Sequence, residues 1–115
     1  MSRQRSNAVK VDGPCVYLIH FQEPYRHAGH YLGWTRNLAA RLRDHENGNG
    51  ARLIAVVRQA GIEIELVRTW HGQRDVEQLL KKYKHSSWLC PICNPHAATH
   101  MPLSGISQII VTGRK

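Results

Sequence analysis

Two tyrosines on neighbouring apolar segments could form a proton-transfer site. Tyr17 lies in the middle of the first apolar run, and Tyr31 lies in the second predicted strand, His30-Tyr31-Leu32-Gly33-Trp34, directly before Leu32 and Gly33. If the two runs pair as strands, both phenols emerge on one face, where Gly33 leaves room for a ligand. Two ordinary strand tyrosines would give the same pattern, so the pair alone does not indicate catalysis.

A second group of candidates follows on a predicted helix. Arg41 and His45 are spaced i, i+4, and Asn37 precedes Arg41 by four residues, which makes a polar stripe beside an apolar one. An arginine can clamp phosphate oxygens, and a histidine can shuttle a proton. The alternative is a solvated basic face on which Arg41 pairs with Asp44.

Carboxylates are scarce, so any hard-metal ligand comes from a short list. The eight acids are Asp12, Glu23, Asp44, Glu46, Glu63, Glu65, Asp75 and Glu77. Glu63 and Glu65 alternate with aliphatic residues and predict a solvent face. Glu77 borders the apolar stripe of a later helix, where it could bind one divalent ion together with water and phosphate oxygens. The alternative is an i, i+4 ion pair with Lys81.

These elements, in this order, resemble the GIY-YIG nuclease family. The matching segments are Val16-Tyr17-Leu18, Tyr31-Leu32-Gly33, Arg41 with His45, and Glu77. The first segment has Val16 where the family name has glycine, and the second has Leu32 for isoleucine. The late asparagine of the family has Asn94 as its candidate, farther along the chain than usual.

The resemblance implies hydrolysis of a DNA phosphodiester with one Mg²⁺ or Mn²⁺. Glu77 would bind the metal, and Arg41 would neutralise charge on the phosphate. Tyr17 or Tyr31 would orient or deprotonate the attacking water with help from His45, provided that Arg41 and the metal lower the phenol pKa.

The segment Cys90-Pro91-Ile92-Cys93 has a separate interpretation. With His96 and His100 it contains four potential zinc ligands, but the gap between the two pairs is too short for a zinc finger. A structural zinc could instead use Cys15 or His85. The sequence favours buried thiols in a proline turn over zinc.

Charge and length narrow the class of protein. The chain has 115 residues, enough for one domain, and 16 Lys and Arg against 8 Asp and Glu give a net charge of +8. This excess favours DNA as partner. The residues expected to contact DNA are Gly33, Trp34, Arg36, Arg43 and Lys81. No apolar run is long enough for a membrane span or resembles a signal peptide, so we expect a cytoplasmic protein, nucleoid-associated when it acts on DNA.

The elements that must position these residues predict a small α/β (α+β) domain. Their order is ββααβα, with a mainly antiparallel three-stranded sheet flanked by helices. Residues 1–13 are expected to be a flexible basic arm, 14–93 the nuclease-like domain, and 94–115 an extension with an extra strand near 106–112. Residues 22–30 predict a loop, and Thr35 a helix N-cap.

The expected function is therefore that of a stand-alone, metal-dependent DNA endonuclease. Because no separate recognition domain fits into the chain, we expect structure-selective or weakly sequence-selective cutting, a targeting protein partner, or both. A homodimer is also compatible with the sequence. The alternatives are a non-catalytic basic nucleic-acid-binding module on the same fold, and a zinc-stabilised interaction protein built around Cys90 and Cys93.

Overall fold

The computed structural model describes residues 13–82, 86–94 and 108–110. Within them the expected α/β architecture and the order ββααβα are confirmed, followed by a short helix and a short strand. The elements are β1 (Cys15–Tyr25), β2 (Ala28–Thr35), α1 (Leu38–Glu46), α2 (Arg52–Gln59), β3 (Ile64–His71), α3 (Arg74–Lys81), α4 (Ser86–Leu89) and β4 (Gln108–Ile110). The expected basic arm lies outside the described residues except for Gly13.

The sheet has the order β2-β1-β3-β4, and each neighbouring pair is antiparallel. β1 lies between β2 and β3. Its first seven residues are apolar or aromatic except for His20, which suits a strand that is buried between two neighbours. The strand expected in the C-terminal extension is present as β4, which pairs with β3 at Thr69 and Ile109.

The predicted loop over residues 22–30 is wrong, because both strands continue through it. The turn is confined to Arg26 and His27, and Arg26 has a φ of +58°. Pro24 suggested a loop because it cannot donate to a strand ladder. It is tolerated in β1 because pairing with β3 ends at Phe21, before the proline is reached.

Alternation along β1 divides the core between two faces of the sheet. One face packs against α1 and α2, and we call it the α1–α2 face. Its buried residues are Cys15, Tyr17, Ile19, Phe21, Leu38, Leu42, Ile54, Val57, Ile62 and Leu66. The other packs against α3 and α4, and we call it the α3–α4 face. Its buried residues are Val16, Leu18, Val67, Trp70, Val76, Leu80, Leu89 and Cys90.

Two details of the elements differ from the sequence prediction. Asn37, and not Thr35, caps α1, because the Asn37 side chain accepts a hydrogen bond from the Ala40 amide. Glu65 is 8% exposed and accepts a hydrogen bond from Gln22, because β1 runs on beside β3 where solvent was expected.

No helix in the described part of the chain is long and apolar enough to cross a membrane.

Candidate functional site

Three of the predicted residues meet on the α1–α2 face. The Tyr17 hydroxyl lies 2.8 Å from Nε2 of His45. The ring centroids of Tyr17 and Tyr31 are 6.0 Å apart, and those of Tyr31 and His45 are 5.6 Å apart. We call this group the tyrosine–histidine cluster. It links two strands and a helix through groups that can pass protons.

The strand register explains why the two tyrosines meet. Tyr17 lies opposite Gly33, and Tyr31 lies opposite Ile19, so the phenols are diagonal neighbours on one face. A Cβ at position 33 would lie 2.7 Å from both the Tyr17 hydroxyl and a ring carbon of Tyr31. Gly33 therefore makes room for the two phenols themselves, where the sequence suggested room for a ligand.

A second glycine shapes the space around the histidine. His45 is fully buried near the end of α1, so the expectation that this stripe is a solvated face is wrong for His45. A Cβ at position 50 would collide with the imidazole at Nδ1. The turn after α1 can close over the ring because Gly50 has no side chain.

Burial sets the protonation state of the histidine. It lowers the pKa of His45 from its ordinary 6.5 to about 4, the positive charge of Arg41 adds to this shift, and Asp44 opposes it. Nδ1 of His45 is buried and has no hydrogen-bond partner among the described residues. At neutral pH the imidazole is therefore uncharged and able to accept a proton.

The pKa of Tyr17 is raised, whereas the expected mechanism required it to be lowered. Burial raises its pKa well above the usual value of 10, and interaction with Tyr31 raises it further. Arg41 does act to lower the pKa, as expected, but burial outweighs it. Tyr17 is therefore a neutral phenol at physiological pH.

Arg41 stands at the border of this cluster. Its guanidinium lies 3.9 Å from the Asp44 carboxylate, so the predicted alternative pairing is present. The side chain is 40% exposed, and its charge acts on both Tyr17 and His45. Arg41 can thus face an incoming anion while remaining coupled to the proton-bearing groups.

Glu77 lies apart from this cluster, on a helix that packs against the opposite face of the sheet. It is 8% exposed, and its two oxygens lie 3.8 Å from Arg74 and 3.2 Å from Lys81. The i, i+4 pair that the sequence permitted is therefore formed. The Arg74 guanidinium also lies 4.6 Å from the ring centroid of Trp34, the residue after Gly33. Glu77 and the tyrosines thus flank the edge strand β2 from its two faces.

A second cluster, which we call the His–Cys cluster, contains His20, His30, Cys90 and Cys93. One possible ligand atom from each residue lies within 4.8 Å of the others, so the group could hold a metal ion. The measured separations from His20 Nδ1 are 3.3 Å to His30 Nε2, 3.5 Å to Cys90 Sγ and 3.7 Å to Cys93 Sγ. Cys93 Sγ lies 3.5 Å from His30 Nε2.

The two histidines were not among the metal ligands predicted from the sequence. They are directly opposed across the β1–β2 hairpin, so their side chains emerge side by side. The predicted loop over residues 22–30 concealed this pairing, because it placed His30 at a loop end. The alternative ligand Cys15 lies in the core of the other face, while His85, His96 and His100 lie outside the described residues.

Three hydrogen bonds hold the cysteine loop in place. Arg68 donates from Nη1 to the Leu89 carbonyl at 3.0 Å. The Asn94 amide donates to the Cys90 carbonyl, and its side chain donates to the Trp88 carbonyl, both at 2.8 Å. Asn94, the candidate for the late asparagine, is thus part of the cysteine loop.

The Cys90 sulfur has a mixed environment. Burial raises the pKa of the Cys90 thiol to about 11, and the Cys93 thiol adds to this shift. The backbone amides of Cys93 and Ile92 donate hydrogen bonds that oppose it. Amide groups pointing at a sulfur favour its thiolate form.

The other residues expected to contact DNA are distributed unevenly. Arg36 and Arg43 are exposed beside and on α1, and Lys81 is exposed at the end of α3 although it pairs with Glu77. Trp34 is half-buried, and its indole donates to the Gly72 carbonyl at 3.1 Å.

Comparison with known proteins gives no assignment for this arrangement: no family model, curated protein or solved structure that was compared matches the chain.

Proposed function

We propose that the protein is a metal-dependent DNA endonuclease of the GIY-YIG type. The observation that carries the proposal is the hydrogen-bonding distance between the Tyr17 hydroxyl and Nε2 of His45. A buried phenol beside a neutral imidazole forms a donor–acceptor pair suited to proton transfer. The net charge of +8 supports a polyanionic substrate.

In this proposal a proton leaves the attacking water through the two tyrosines. Tyr31 is half-buried and Tyr17 is 1% exposed, so Tyr31 is the phenol that meets solvent and substrate. Tyr31 accepts the proton of the water and donates its own to Tyr17, which in turn donates to Nε2 of His45. Each phenol stays neutral at the end of the relay, so neither needs a pKa near neutrality.

The proton is held on His45 only briefly. Burial disfavours the imidazolium, and no described residue accepts a hydrogen bond from Nδ1. The proton must therefore return along the same path and pass to solvent, and the leaving oxygen takes its proton from solvent water. Arg41, with its partly exposed guanidinium, would neutralise the charge that develops on the phosphate.

The carboxylate oxygens of Glu77 are the kind of donor that Mg²⁺ and Mn²⁺ prefer, and Glu77 would hold the ion. Among the described residues the potential metal ligands that converge belong to the His–Cys cluster, so water and phosphate oxygens would complete a shell around Glu77. When bound, the ion would supply charge stabilisation to the phosphate and the leaving group. Arg74 and Lys81 neutralise Glu77 in the free protein, and a phosphate could draw both cations away from it.

The position of both groups beside β2 suggests where DNA would lie. β2 is an edge strand, with the tyrosine–histidine cluster on one face and Glu77 on the other. A phosphodiester that crosses this edge near Gly33 and Trp34 would approach the two groups from one direction.

Plasmid nicking tests the proposal. We expect the wild type to nick supercoiled DNA when Mg²⁺ is added. The rate for Glu77→Gln should be lower by roughly 100-fold or more. Glu63→Gln, an exposed carboxylate in the same acid inventory, is the matched control and should retain the wild-type rate. Withholding Mg²⁺ is preferable to adding a strong chelator, since a chelator would also remove a metal ion bound by the His–Cys cluster.

Two outcomes would contradict the proposal. Nicking that survives Glu77→Gln would exclude the role given to this carboxylate. Failure to cut plasmid, branched or flapped DNA, with binding retained, would favour the non-catalytic nucleic-acid-binding module.

A further inference from the structure

We propose that His20, His30, Cys90 and Cys93 bind one structural zinc ion. This site is independent of the nuclease proposal, because it shares no residue with the tyrosine–histidine cluster and does not include Arg41 or Glu77. Two imidazoles and two thiolates in a tetrahedral arrangement are the donor set that selects zinc.

Four of the six separations between the four ligand atoms are close to those of a zinc tetrahedron. With Zn–N near 2.05 Å and Zn–S near 2.3 Å, tetrahedral angles give an N–N edge of about 3.3 Å and N–S edges of about 3.6 Å. The observed N–N distance is 3.3 Å, and the three observed N–S distances are 3.5, 3.5 and 3.7 Å. These four edges agree within about 0.2 Å of this geometry, and the remaining two, between the sulfurs and between His30 and Cys90, are no longer than 4.8 Å.

The fold brings the ligands together from two distant parts of the chain. His20 and His30 are separated by 10 residues but face each other across the hairpin. Cys90 is 70 residues from His20 and returns to it at the end of α4.

Four protein ligands close the coordination shell, so the ion is structural and leaves no position for a substrate. Its effect is to fasten the four-residue helix α4 and the following loop to the β1–β2 hairpin. Such a short helix is not stable alone, and its anchors include the buried Leu89 side chain and the Arg68 hydrogen bond. The zinc ion would add a coordination link between the β1–β2 hairpin and the loop that follows α4.

The first experiment uses the wild-type full chain and needs no variant. We expect elemental analysis of the purified protein to find about one zinc per chain. Replacement by Co²⁺ should give the intense visible absorption of a tetrahedral ion, together with a sulfur-to-cobalt charge-transfer band. Protein that is refolded with Zn²⁺ or Co²⁺ alone and takes up neither, or that gives an octahedral cobalt spectrum without the sulfur band, would overturn the proposal.

Variants then assign the ligands. Cys93→Ser changes an exposed side chain, so the fold should survive, while affinity for Zn²⁺ falls by roughly 100-fold or more. The melting temperature of this variant should drop by about 10 °C and cease to respond to added zinc. His27→Ala, an exposed histidine in the same hairpin, is the matched control. Wild-type affinity in Cys93→Ser, or an equal loss in His27→Ala, would refute the ligand assignment.

Discussion

The two faces of the β1–β2 hairpin place similar chemical groups in different surroundings. On the α1–α2 face, Tyr17 and Tyr31 meet one buried histidine, whose Nδ1 has no partner among the described residues. On the α3–α4 face, His20 and His30 meet two cysteines at separations close to the edge lengths of a zinc tetrahedron. Both clusters arise from the same strand register, read on alternate residues.

The two clusters differ in what they leave available for a reaction. The His–Cys cluster has as many ligands as a zinc ion accepts, which suits it to hold the fold together. The tyrosine–histidine cluster has a neutral imidazole that can take a proton at Nε2 and an arginine that is still partly exposed, which suits it to react. Variants in the two clusters should therefore affect different measurements.

The largest effect is expected from removing the proton acceptor. His45→Gln keeps a polar side chain but cannot take the proton, so cleavage should slow by roughly 10²- to 10⁴-fold. His71→Ala, an exposed histidine, should leave the rate unchanged. Single-turnover kinetics with Mg²⁺ measure both, and a His45→Gln rate within threefold of wild type would remove His45 from the relay.

A smaller effect is expected from filling the space between the tyrosines. Gly33→Ala places a methyl group 2.7 Å from two phenol atoms and should lower the free energy of unfolding by about 1–3 kcal/mol. Gly29→Ala in the same strand meets no atom within 4 Å and is the matched control. Denaturant unfolding compares them, and equal stability of the two variants would show that the phenols are not fixed over position 33.

The buried histidine should also make stability depend on pH. The unfolded chain protonates His45 near its ordinary pKa of 6.5, whereas the folded chain does so near 4. Its contribution is therefore full above pH 6.5 and is lost as the pH falls through 4, by about 3 kcal/mol in all. The loss between pH 6.5 and 4 should be smaller in His45→Gln, and parallel curves for the two proteins would contradict the burial of a neutral imidazole.

The smallest effect concerns DNA binding away from both clusters. Arg43 is exposed on α1, and Arg43→Ala should reduce the slope of log affinity against log salt by about 0.9 without changing the rate at saturating DNA. Affinity measured between 50 and 200 mM salt by fluorescence anisotropy gives the slope. An unchanged slope would place Arg43 outside the DNA-binding surface.

The sequence predicted the elements on the α1–α2 face better than those on the other. Tyr17, Tyr31 and His45 were identified from strand alternation and helical spacing, which are local properties. The pKa directions could not be predicted, because they depend on burial by α1 and on the turn at Gly50. The pairing of His20 with His30 depends on where the hairpin turns, and Pro24 and Gly29 indicated a loop instead. The return of Cys90 to His20 is a contact between distant parts of the chain, which no local pattern encodes.

The most direct test of the account measures cleavage and zinc content on the same two preparations. Tyr17→Phe removes only the hydroxyl that lies 2.8 Å from His45. We predict that wild type and Tyr17→Phe each contain about one zinc per chain, while Mg²⁺-dependent nicking falls by roughly 100-fold or more in the variant. Equal nicking by the two proteins would contradict the division of function between the tyrosine–histidine cluster and the His–Cys cluster.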